Sequence, residues 1–61
     1  MKTIVIYNYV KNQEIVKEFT RAEDALNYFR LFCDDNNLEY NECSTSAGGI
    51  GYDYYIELRE E

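Results

Sequence analysis

The chain has 61 residues, 12 acidic against 6 basic side chains and no histidine, for a net charge of −6. Phosphate backbones and anionic lipid surfaces are gripped by clustered Lys and Arg, so this balance argues against direct nucleic-acid binding and against a membrane surface. The length predicts one small domain over residues 1–61, with stability that is marginal unless a disulfide, a metal or a partner adds to it.

Residues 3–10 (TIVIYNYV) are rich in β-branched and aromatic side chains and read as a strand. The chain enters this strand directly from Met1, with no long apolar stretch or small-residue cleavage site, and a cytoplasmic location is the expectation. If the chain is phage-encoded, that cytoplasm is the host's. Ile4 and Ile6 fall on one side and Val5, Tyr7 and Tyr9 on the other, which favours a central place in a sheet. Lys11-Asn12 suits a two-residue turn, because asparagine tolerates the left-handed region. Gln13 to Phe19 returns, with Ile15, Lys17 and Phe19 on one side and Val16 and Glu18 on the other.

Residues 20–36 predict one amphipathic helix. Thr20 and Glu23 have the spacing of a capping box. Ala22, Ala25, Leu26, Phe29, Phe32 and Cys33 recur at helical spacing on one face. Asn36-Asn37 suits a left-handed cap. Beyond it, Leu38 to Cys43 (LEYNEC) alternates like a strand, with Leu38 and Tyr40 opposite Glu39 and Asn41. Ser44 to Gly51 reads as a long glycine-rich hairpin loop. Tyr52 to Leu58 is a half-buried strand, setting Tyr52, Tyr54, Ile56 and Leu58 against Asp53, Tyr55 and Glu57. The predicted fold is α+β, in the order ββαββ: a four-stranded, largely antiparallel sheet with one helix packed on one face.

Chemistry-bearing motifs are sparse. Without histidine, two cysteines do not complete a four-ligand zinc set. Asp34 to Glu39 lacks the alternating ligands, glycine and distal glutamate of a calcium loop. No metal or cofactor is therefore expected. Cys33 and Cys43 read as unpaired thiols in a reducing compartment. The glycine-rich loop could form an anion nest, but it joins two strands and has no cation beside it. The adjacent carboxylates Asp34/Asp35 and Glu60/Glu61 do not make a preorganised pocket, and neither cysteine has a base. The expectation is that the chain is not an enzyme.

Two surfaces are left over. One helix covers one sheet face, so Tyr7, Tyr9 and Tyr55 should gather on the other, with Asp53, Glu57 and Glu39 as charges. Leu31, with Tyr28 beside it, should form a smaller patch on the outer helix face. Solvated tyrosines and one exposed leucine are the plainer alternatives. In size, acidity and lack of a catalytic set the chain looks like phage-encoded inhibitors of host defence, anti-CRISPR proteins among them. That analogy implies a basic protein as partner, such as a nucleic-acid-binding effector blocked sterically or by charge mimicry. The alternatives are a self-associating structural domain, a homodimer through the tyrosine face, and an antitoxin-like regulatory subunit.

Overall fold

The computed structural model describes the backbone of residues 2–60 and the side chains of residues 2–59. Met1 and the Glu60/Glu61 carboxylate pair lie outside the described residues. The elements are β1 (Lys2–Asn8), β2 (Gln13–Phe19), α1 (Ala22–Asp35), β3 (Ser46–Gly48) and β4 (Tyr54–Glu60). All pairings are antiparallel, and the four strands form one sheet in the order β2-β1-β4-β3. β1 is central, as its apolar residues on both sides imply.

The registers divide the side chains into two faces. Ile4 stands between Lys17 and Leu58, and Ile6 between Ile15 and Ile56. Ala47 faces Ile56 from β3. Against this face packs α1, which buries Ala25, Phe29 and Cys33. Ile4, Ile6, Ala25, Phe29, Cys33, Leu38, Ala47 and Ile56 form the core, and Phe19, Tyr28, Phe32, Tyr40, Tyr54 and Leu58 close it at the margin.

Several expectations give way to the structure. The helix begins at Ala22 with Arg21 at the N-cap, and no side chain caps it. Thr20 is therefore one position too early for the capping box with Glu23, and Ala22 is exposed rather than in the core. Leu38 to Cys43 is not a strand. The Leu38 N–H donates to Cys33 O at 2.9 Å, the long-range bond of a Schellman motif, and Asn37 holds the left-handed conformation at φ 57°. That closure drives Leu38 into the core beside Cys33. The third strand lies later, inside the expected loop, and is only Ser46–Gly48. At the first turn Asn12 adopts φ 53°, but Asn8 opens the turn by accepting from the N–H groups of Val10 (3.0 Å) and Lys11 (3.2 Å). The connection thus spans four residues rather than two.

The last helical turn carries Asp34 and Asp35 and no base, so negative charge stands at the negative end of the helix dipole. Asp34 has a partner, accepting from the Tyr40 hydroxyl at 3.0 Å. Replacing the exposed Asp35 by lysine should stabilise the fold by about 1 kcal/mol. Thermal melts at low salt should show a gain of roughly 4–8 °C per kcal/mol, shrinking as salt is added. An unchanged or lower melting temperature would contradict the dipole account.

Candidate functional site

The face of the sheet turned away from α1 has no element over it. Along β1 it presents Thr3, Val5 and Tyr7, with Tyr9 following in the turn. β2 adds Glu14, Val16 and Glu18 from the edge, and β4 adds Tyr55, Glu57 and Arg59. Tyr7 sits directly across from Tyr55. The rings of Tyr7 and Tyr9 lie 4.8 Å apart, tilted by 57°. Val5, Tyr7, Tyr9, Glu14, Tyr55 and Arg59 together line a shallow depression of about 360 Å³. The three tyrosines read from the sequence as one cluster are thus brought together.

Val5 is only 8% exposed although nothing is layered over it, so its cross-strand neighbours Val16 and Glu57 and the adjacent side chains cover it. Thr3, flanked by Glu18 and Arg59, is equally buried, and its hydroxyl has no hydrogen-bond partner.

Glu57 is tied into the face. It accepts from the Tyr55 hydroxyl at 3.0 Å and from the Arg59 guanidinium at close range. Those two bonds, Arg59's first, hold its carboxyl below the ordinary glutamate value. Partial burial and then the bond to Glu57 raise the Tyr55 hydroxyl above the usual tyrosine value. Arg59 has the opposite charge to the residues expected here, and the sequence reading missed it. Its signal was the alternation Tyr55, Glu57, Arg59, which carries β4's outward face to the strand end.

The remaining expected residues scatter. Asp53 lies in the bend before β4, exposed, with its carbonyl accepting from Tyr9 N–H at 2.9 Å. It borders the tyrosines from outside the strand. Glu39 is exposed in the segment after the helix, which is not part of the sheet, so it does not join the face. Leu31 is 62% exposed on the outer helix. Tyr28 does not form a patch with it. Its ring leans toward the core margin, 5.5 Å from Phe19 and 6.5 Å from Phe32, with the Lys17 ammonium 5.5 Å from its centre.

Cys33 is buried, and burial with Asp34 alongside pushes its thiol up to about 11, while Cys43 is exposed and the two are not paired. Among the described residues, no group of three or more His, Cys, Asp or Glu side chains is placed to hold a metal ion. No helix there is long and apolar enough to cross a membrane. No family model, curated protein or solved structure matches the chain.

Proposed function

We propose that this protein works by occupying another protein, docking the uncovered face of β2, β1 and β4 onto a basic surface. The observation that supports this most is the tyrosine cluster. Tyr7, Tyr9 and Tyr55 offer large, stiff, amphipathic rings around one depression, the kind of anchor that interfaces favour. Glu14 lines the depression, Glu18 stands farther along the same face and Asp53 lies in the bend before β4, while the face's one strand-borne base, Arg59, is engaged by Glu57. With a net charge of −6, long-range attraction favours a basic partner. Nucleic-acid-binding proteins present such surfaces, and an inhibitor of a phage's host defence would block one of them. A homodimer through the same face would bring two acidic rims together. Salt should strengthen that association and weaken docking on a basic partner.

The test is capture of partners by the tagged chain from nuclease-treated bacterial lysate, at low and high salt. The wild type is compared with Tyr7→Asp and Leu31→Asp, each first shown to be folded. A basic partner should be held at low salt and released at high salt. Tyr7→Asp should lower its capture at least tenfold, consistent with loss of a tyrosine anchor worth about 2 kcal/mol. Leu31→Asp should leave capture unchanged. Equal capture by Tyr7→Asp would sink the reading.

A further inference from the structure

The sheet has two edges, and they are not alike. β3 is three residues long and runs into Gly48 and Gly49, both at positive φ, so it offers little to pair with. β2 is seven residues long, pairs with β1 in unbroken register from Gln13 to Phe19, and has neither proline nor bulge. Every residue but Phe19 is exposed. Ile15 is 47% and Val16 55% exposed, on opposite sides of the strand. Proteins usually blunt a long apolar edge with a proline, a bulge or a charge aimed along it, because its free N–H and C=O groups template another strand. Here Lys17, the strand's one base, is drawn over the Tyr28 ring.

From this edge we infer that β2 takes up an extended, basic segment of a partner protein as a fifth strand. The charges choose the occupant. Glu14 and Glu18 flank Val16 on the same side of the strand at the two-residue period. An antiparallel segment with an apolar residue opposite Val16 and Lys or Arg two positions either way pairs opposite charges at both ends. Such cross-strand pairs are favourable, and like charges in those places are not. A second copy of this chain fits worse. Pairing across a two-fold at Val16 sets Glu14 against Glu18 twice, and moving the two-fold to Ile15 or to Lys17 sets Val16 against Glu14 or Glu18. Backbone bonds would supply affinity and the alternate side chains would supply selectivity. The inference takes from the docking proposal the basic character of the partner, and it concerns the backbone edge of β2 rather than the tyrosine cluster, although Glu14, Val16 and Glu18 border both.

The test is nuclear magnetic resonance of the full chain, ¹⁵N-labelled, titrated with a blocked peptide that alternates lysine, threonine and valine. Its valine falls opposite Val16 and its lysines opposite Glu14 and Glu18. The expected result is shift changes along Gln13–Phe19 and slowed exchange of the outward amides of β2. Glu14→Lys with Glu18→Lys should weaken binding at least tenfold, and a peptide with glutamates in place of lysines should not bind. Val16→Lys, which places a base on the edge itself, should also abolish binding. Shifts confined to Tyr7, Tyr9 and Tyr55 would overturn this inference and leave the open-face reading standing. Absence of any shift at saturating peptide, or full binding by the double variant, would overturn it as well. Binding at β2 together with undiminished partner capture by Tyr7→Asp would uphold this inference and remove the other.

Discussion

Phe29→Ala should remove between a third and all of the protein's stability. Phe29 is 1% exposed and is one of the largest fully buried side chains, set among Ile4, Ile56, Ala25 and Cys33. It also meets the Tyr40 ring edge-on, at 6.1 Å and 83°. Truncating a buried phenylalanine costs about 3–5 kcal/mol through lost transfer energy and the cavity left behind. A chain of this size is stable by only about 3–9 kcal/mol, at roughly 0.05–0.15 kcal/mol per residue. The loss therefore removes a third of the stability at the least and all of it at the most. Urea titration followed by far-ultraviolet circular dichroism reads the effect directly. The same change at exposed Leu31 should shift the midpoint by less than the equivalent of about 0.5 kcal/mol. A Phe29→Ala midpoint within that range would mean that the helix is not seated as described.

The second large effect is expected at Gly48, for a reason that is not packing. Gly48 holds φ +84°, and a Cβ there would lie 2.1 Å from the backbone oxygen of Tyr54. The left-handed conformation alone costs a residue with a side chain about 1–3 kcal/mol. The overlap with fixed backbone cannot be relieved by turning a side chain, so β3 must part from β4. Gly48→Ala should therefore speed amide exchange at Leu58, which bonds Thr45 O at 2.7 Å, while β1 and β2 keep their protection. Gly49 provides the comparison. It has φ +113° but open space where a Cβ would go, so Gly49→Ala should show the conformational cost without the collision. Equal effects from the two substitutions would contradict the clash.

The parts of the fold legible in the sequence are those whose pattern is dictated by one burial geometry. Alternation along β2 and β4, apolar residues on both sides of β1 and the helical spacing of Ala25, Phe29 and Cys33 each have a single simple cause. The segment Leu38 to Cys43 misled because two unrelated causes imitate a period of two. Leu38 is buried by the helix cap, and Tyr40 is turned inward by Phe29 and by its bond to Asp34. The reverse error concealed β3. Ser46, Ala47 and Gly48 have turn-forming composition and become a strand because Ala47 fits opposite Ile56. In the candidate site the tyrosines were legible by alternation, whereas the Glu57–Arg59 pair depends on how side chains reach along one strand. Tyr28 was assigned to the outer helix by angle alone, but its length lets it fold back over Phe19.

The neighbours at the centre of the sheet are the first strand and the last, β1 and β4, with Lys2 paired to Glu60. A ladder of that kind cannot close until β4 has been made and has left the ribosome. Until β4 leaves the ribosome, the β1–β2 hairpin and the helix lack Ile56 and Leu58, and β1 has a second bare edge. The β1–β4 ladder therefore joins segments far apart in the sequence, with a loop-closure cost that local hairpins avoid. A product that stops short of β4 is thus material for proteases rather than a shorter version of the fold.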